Sequence, residues 1–304
     1  YFRCMRISFL VLVVLVAFCA QAQELANTLL WRIVPANGGS ASYLYGTFHT
    51  KNDRAFQFTD SVLPAMASCN TVFGELDLKA EQRNALGLAA AMRLPDDKRL
   101  EDLFKKKEWE LVKVEMDQHM GLLAAMGQRM KPIFVLMLLN EGAMEGEQSE
   151  LLDQHLLSIA TANGQRIGGL ETMDEQLRAL DAIPLTEQAQ MLLDHCKKKD
   201  VENEQEEMLQ AYADQDLNAL MKLAEGPKGI SANFEKELIT DRNLRMVHRM
   251  DSLVQLDTTC FFLIGAAHLP GTTGLIQGMR ARGYTVDPVS AVARNQREIE
   301  LQEK

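Results

Sequence analysis

Apolar positions fall in two rhythms along the chain. Near both ends they gather into short runs bounded by turn residues; through the middle they recur every three to four positions. Residues 28–33 and 41–46 are two such runs, and Pro35-Ala36-Asn37-Gly38-Gly39-Ser40 between them predicts a hairpin turn. Further strands are predicted over residues 71–76, 165–171, 260–264 and 284–286. Helical spacing covers residues 61–68, 81–92, 100–120, 131–140, 150–162, 173–180, 186–223, 234–253 and 274–282. The reading is an α/β fold on a mixed sheet. Each end follows the plan strand, Gly-x-x-His, helix, strand, with a helical segment of about residues 80–250 inserted between the halves. The closing strand carries Glu75 in the first half and Asp287 in the second.

The first 22 residues read differently. Met5-Arg6 is followed by an almost wholly apolar stretch over residues 7–19 and then by Ala20-Gln21-Ala22. This is the layout of a signal peptide, with cleavage after Ala22 and residues 23–304 forming a single domain. The apolar stretch is about 13 residues, too short to span a bilayer. Acylation at Cys19 is the competing outcome, disfavoured by the bulk of Phe18. The expected location is a bacterial periplasm or the medium. Processing removes Arg3 and Arg6 and no acid, leaving 30 basic against 42 acidic residues. Such an acidic surface argues against nucleic acid or an anionic membrane as partner. No later apolar stretch reaches membrane length. Cys69, Cys196 and Cys260 make no disulfide framework and no zinc knuckle, leaving room for one disulfide; Cys260 reads as a small core residue.

Chemistry concentrates at the strand ends. Gly46-Thr47-Phe48-His49 and Gly265-Ala266-Ala267-His268 each follow a buried run of aromatic and aliphatic residues. Glycine permits a positive φ or a close backbone approach. The histidine is delivered at the C-terminal edge of a strand, where ligands collect in open α/β sheets. The pair reads either as a shared metal site or as two histidines hydrogen-bonded in βα turns. Glu75, after Gly74, is a third ligand of suitable type or an exposed acid on an edge strand. Glu171 could orient a ligating histidine, serve as general base, or cap the helix that follows Thr172. Arg242 is placed to pin a carboxylate or stabilise an oxyanion, or to make a surface ion pair. The chain has no Gly-x-Ser-x-Gly, His-Glu-x-x-His, Walker or Gly-x-Gly-x-x-Gly motif, which disfavours serine hydrolases, zincins, P-loop enzymes and Rossmann dehydrogenases.

Four blocks in order carry a resemblance: Leu44-Tyr45-Gly46-Thr47-Phe48-His49, Phe73-Gly74-Glu75-Leu76-Asp77, Gly169-Leu170-Glu171-Thr172-Met173-Asp174-Glu175-Gln176-Leu177 and Ile264-Gly265-Ala266-Ala267-His268-Leu269-Pro270-Gly271. Over about residues 28–290 the chain resembles the TraB/GumN family, which includes the Tiki metalloproteases. The resemblance implies a fold akin to erythromycin esterase-like and ChaN-like proteins. It implies metal-dependent activity built on His49, His268, Glu75 and Arg242; the leading expectation is a divalent metal (Mn, Co or Zn) held by His49, Glu75 and His268, with Glu171 or Arg242 assisting catalysis. It also implies a peptidase-like hydrolase acting on a peptide or small-molecule substrate. A non-catalytic protein that binds metal or ligand in the same pocket is the rival expectation, and an esterase or haem-handling protein rests on fold analogy alone.

Overall fold

Six strands form one mixed sheet in the computed structural model, which describes residues 25–77, 85–143, 146–198, 201–225, 231–256 and 258–290. The predicted signal peptide and its cleavage point lie outside these residues, as does the start of the helix expected over residues 81–92. The strands are β1 (Leu30–Val34), β2 (Ser42–Thr47), β3 (Thr71–Leu76), β4 (Arg166–Glu171), β5 (Cys260–Gly265) and β6 (Thr285–Pro288). Their spatial order is β4-β3-β5-β2-β1-β6. The four strands β4, β3, β5 and β2 run parallel; β1 is antiparallel to both β2 and β6. The hairpin predicted from the Pro-Asn-Gly-Gly turn is the β1–β2 pair.

Burial follows the pattern of the sequence. Strand β5 lies at the centre, and five of its six residues, Cys260 to Ile264, are buried. A central parallel strand covered on both faces reads as a continuous apolar run because no position on it meets water. Fully burying Phe261 or Phe262 contributes about 1.5–3 kcal/mol each. Phe73 stacks on Phe262 across the sheet, with ring centroids 5.7 Å apart.

The two ends do not close the sheet as equivalent halves. From β2 the chain passes through α1 (Val62–Ala67) to β3, which pairs with β5. From β5 it passes through the helix Leu275–Ala281 to β6, beyond β2 and β1 at the opposite edge. Asp287 therefore lies opposite Arg32 on an edge strand and Glu75 inside the sheet. Strand β4 falls within the span expected to be a helical insertion and pairs with β3, so the helices form two excursions rather than one.

The first excursion includes α2 (Ala85–Ala91), α3 (Lys106–His119), α4 (Pro132–Ala143) and α5 (Leu152–Ala162). The second includes α6 (Met173–Asp181), α7 (Leu185–Lys197), α8 (Val201–Ala213), α9 (Leu217–Glu225) and α10 (Asp241–Val254). Helices α3, α4 and α7 build a second apolar core around Val112, Met116, Val135 and Leu192, separate from the core over the sheet. The helix expected over residues 100–120 is broken. Phe104 and Lys105 are extended, and Glu108 accepts the Lys105 amide to start α3 afresh. Ahead of α10, residues Glu235–Thr240 form a π-helical turn. Cys69, Cys196 and Cys260 are free and buried, so the room the sequence left for a disulfide is not used. Among the described residues no helix is long and apolar enough to cross a membrane.

Candidate functional site

The two Gly-x-x-His turns leave neighbouring strands. Strands β2 and β5 are paired in parallel, with Gly46 opposite Ile264 and Thr47 opposite Gly265. Both glycines serve close approach, and neither has a positive φ. A Cβ on Gly46 would stand 3.2 Å from Leu269 Cδ2 and 3.3 Å from the Ala266 Cβ, so the second turn packs directly on the first. A Cβ on Gly265 would stand 3.1 Å from Glu75 Oε1 and 3.7 Å from His268 Cδ2. Glu75 and the Cδ2–Nε2 edge of His268 thus face the same small space beside Gly265.

His268 ends a short 3₁₀ turn, Ala266–His268, and is buried. Its Nδ1 lies 2.7 Å from Asn243 Oδ1. The Asn243 amide nitrogen donates to the carbonyl oxygens of His268 and Thr273, which fixes the amide's orientation and leaves Oδ1 as acceptor. His268 therefore donates from Nδ1 and keeps a lone pair on Nε2. Burial, with Arg242 reinforcing it, lowers its pKa to about 4 against the pull of Glu75 and Glu171.

His49 is different. It lies in the loop after β2, its side chain is 65% exposed, and its Nδ1 is 2.8 Å from Asp153 Oδ1 on the first turn of α5. Backbone bonds from Gln148 to Lys51 and from Leu152 to Thr50 hold this loop against the entry to α5. The Asp153 hydrogen bond raises the His49 pKa to about 9, against some desolvation, with Asp153's charge and Glu75 adding to the rise. Here too the carboxylate takes Nδ1 and directs Nε2 away from it.

Glu75 is near the end of β3, between β4 and β5, so the edge-strand alternative is excluded. The Gly265 amide donates to Oε1 at 2.9 Å, while Arg242 at 2.7 Å and Gln176 at 3.2 Å donate to Oε2. Burial pushes its carboxyl up, but the neighbouring cationic groups and the Gly265 amide outweigh it and hold the pKa at about 2. Helix α5 packs Leu157 against Gly74, the close approach that glycine permits.

Glu171 ends β4, with its side chain fully buried. It takes Arg242 Nε at 2.9 Å and Nη2 at 2.7 Å on Oε2, and Arg245 at 3.4 Å on Oε1. The cap it might have supplied is made instead by Thr172, in a reciprocal capping box with Glu175. Gly168 and Gly169 let β4 approach β3; a Cβ on Gly169 would fall 2.4 Å from the Asp77 nitrogen. Arg242 is no surface arginine. Its side chain is 12% exposed and bridges Glu75 and Glu171. Buried Asn243, Met246, Val247, Met250 and Val254 form the inner stripe of α10. Arg242, Arg245 and Arg249 follow a neighbouring stripe toward the end of β4, where Arg249 pairs with Glu175.

The structure thus joins Glu75, Glu171 and Arg242 directly and sets His268 beside Glu75, while His49 pairs with Asp153. Among the described residues no three His, Cys, Asp or Glu side chains stand close enough together to form a ready coordination sphere. The donor chemistry nevertheless fits a divalent cation: two imidazoles with Nδ1 engaged and Nε2 directed elsewhere, and a carboxylate that stays ionised. The orienting residues Asp153, Asn243 and Gln176 were not singled out from sequence. For Asn243 a signal existed, since it adjoins Arg242 on a helix where a buried asparagine needs polar partners.

The chain is similar to metalloprotease TIKI2 of Xenopus tropicalis, 26% identical over 89% of this chain and 61% of the relative. It is 24% identical to metalloprotease TIKI2 of Danio rerio over 88% of this chain and 62% of the relative. To human metalloprotease TIKI1 it is 24% identical over 89% and 63%. The chain spans about three fifths of the length of these relatives. No solved structure matches it. The TraB/PrgY/gumN family matches residues 29–288, a span that takes in both histidine turns, Glu75, Glu171 and Arg242, and the chain belongs to that family.

Proposed function

We propose that the chain is an exported, divalent-metal-dependent hydrolase that acts on peptide bonds. The observation that carries the reading is the matched presentation of His49 and His268. Each gives Nδ1 to a fixed acceptor, Asp153 or Asn243, the arrangement that orients ligating histidines. His49, Glu75 and His268 would hold the cation. A metal bound there would lower the pKa of a water and polarise a carbonyl oxygen. Asn243 keeps His268 in the tautomer with Nε2 free, and burial keeps it neutral at physiological pH. Arg242 has no lone pair to offer a cation and stays protonated, so its part is to bind a substrate carboxylate or offset charge on an oxyanion. Glu171 holds Arg242 in place, and with Glu75 and the Leu238 carbonyl engaged as well, one Nη1 N–H is left for a substrate. Support from outside comes from relatives whose names say metalloprotease.

A second reading, a non-catalytic metal- or ligand-binding protein, is favoured by one feature. Both oxygens of Glu75 already accept hydrogen bonds, from Gly265, Arg242 and Gln176. Elemental analysis of the purified protein, joined to a screen of peptides with Mn, Co and Zn, separates the two. Stoichiometric metal with turnover supports the hydrolase; stoichiometric metal without turnover on any substrate supports the binder. Absence of metal at micromolar supply overturns the hydrolase and the metal binder, and leaves only a binder of some other ligand.

A further inference from the structure

A cleft of ≈ 190 Å³ opens beside the Glu171–Arg242 pair, lined by Glu175, Arg178, Ala179, Glu237 and Arg245. One wall is α6 and the other is the π-helical turn with the start of α10. The charges around it are unequal in commitment. Glu175 is neutralised by Arg249, whose Nη1 and Nη2 donate at 2.8 and 2.6 Å. Glu237 is paired with Lys236 at 2.7 Å. Lys236 also pairs with Asp241 at 2.6 Å, so Glu175 has a cation to itself and Glu237 shares one.

The two arginines are held less firmly. Among the described residues Arg178 makes no ion pair, and its side chain belongs to an exposed residue. Arg245 reaches Glu171 only at 3.4 Å, an oxygen group already shared with Arg242, and its buried Nε has no hydrogen-bond partner. A buried guanidinium N–H without an acceptor is unfavourable, and it leaves Arg245 the less completely satisfied of the arginines around Glu171. In a chain of formal net charge −10, a cleft with one unpaired guanidinium, Arg178, and a second, Arg245, held by a single 3.4 Å contact departs from the general field.

Its position is informative. Arg245, Glu171, Arg242 and Glu75 form an unbroken series of contacts. The cleft therefore neighbours the ion pair that holds Glu75. The geometry points to Arg178 and Arg245 as a carboxylate-binding subsite that takes an acidic group of a peptide bound beside the Glu171–Arg242 pair. The inference rests on the peptide-hydrolase reading for what is bound, and on the cleft alone for the charge it selects. Guanidinium groups match a carboxylate because their N–H donors lie in one plane with its two oxygens.

The test uses three dye-labelled, N-acetylated peptides of one sequence otherwise free of Asp and Glu. The first has a free C-terminal carboxylate, the second a C-terminal amide, and the third an amide with a single Glu as its last residue. Each is titrated by fluorescence anisotropy into chelator-treated protein, so that turnover does not enter. The free acid is expected to bind at least ~10-fold tighter than the plain amide, the scale of one charge-assisted pairing. The Glu-amide peptide matching the free acid means that a side-chain carboxylate serves; its matching the plain amide means that the terminus is required. Arg178→Gln, which touches neither Glu75, Glu171 nor Arg242, should bring the free acid to within about twofold of the amide while metal content and melting temperature stay unchanged. Arg178→Lys should keep part of the preference. Equal affinity for all three peptides overturns the subsite, and so does a preference that survives in the Arg178→Gln/Arg245→Gln double variant. A protein without metal or turnover that still prefers the carboxylate would sink the hydrolase reading and leave the subsite standing.

Discussion

The two Gly-x-x-His turns lie against each other on neighbouring parallel strands and end in histidines of opposite character. His268 is enclosed, backed by the Asn243 amide, and its pKa is lowered to about 4. His49 is open to solvent, backed by the Asp153 carboxylate, and its pKa is raised to about 9. The motif is the same; the neighbours differ in charge and in the water they exclude. A neutral amide can fix a tautomer without stabilising the imidazolium, whereas a carboxylate does both. In the metal-free protein one histidine is thus ready to give a lone pair and the other must first lose a proton. Cation binding should release a proton from the His49 side only.

Removing either histidine should have the largest effect. In the His49→Ala and His268→Ala variants metal affinity is expected to fall by at least ~10²-fold, more than the loss of an orienting group behind a ligand. Competition with a chromophoric chelator measures it. Stability should separate the pair. His268→Ala strands the buried Asn243 oxygen and costs about 1–3 kcal/mol, while His49→Ala costs stability only below about pH 9, where the Asp153 pair is made. A variant that holds metal as tightly as wild type removes its histidine from the ligand set. Arg242→Lys should follow, with metal content normal and turnover reduced by at least ~10²-fold, because lysine keeps the charge and loses the planar fork between Glu75 and Glu171. Unchanged turnover would return Arg242 to a purely structural part.

Substitutions behind the histidines come next. Asp153→Asn and Asn243→Leu should each weaken metal binding by about 10–100-fold. The asparagine variant should also bring the His49 pKa from about 9 toward the ordinary imidazole value of ~6.5. A two-dimensional NMR titration reads this directly, and a His49 that still titrates near 9 would mean that Asp153 is not the cause.

The smallest effect is on stability against pH, and its sign differs between the turns. The folded pKa of His49 is raised, so its contribution is complete below about pH 6.5 and is lost as pH rises through about 9. The folded pKa of His268 is lowered, so its contribution is complete above about pH 6.5 and is lost as pH falls toward about 4. Urea denaturation of the metal-free protein from pH 4 to 10, set beside each alanine variant, should show the two losses in opposite windows. Both losses on the same side of neutrality would break the comparison.

The elements were largely legible because their signals are local. The buried run Cys260 to Ile264, the Pro-Asn-Gly-Gly turn and the amphipathic stripe of α10 each declare themselves within a few residues. The misread elements lie where a local pattern meets a competing contact. Residues 100–120 have helical spacing throughout, yet the Glu108 side chain satisfies the Lys105 amide and starts a new helix there. The long helix expected over residues 234–253 does form, with a π-helical turn at its start that no periodicity announces. The equivalence of the two ends was a pattern of order along the chain, and strand order is not written there. Only packing sends β6 to the edge and β3 beside β5.

At the site the division is sharper. The sequence by itself placed His49, Glu75, Glu171 and His268 at strand ends, because an apolar run followed by a polar residue marks the point where a buried strand reaches the surface. It could not say what stands behind each of them. Asp153 lies 104 positions from His49, and Arg242 lies 167 from Glu75 and 71 from Glu171. Those contacts exist only once helices from both excursions fold back over the strand ends. Proton affinity and side-chain direction depend on distances of a few ångströms to charges and on excluded water, and these are properties of the packed chain rather than of any segment of it.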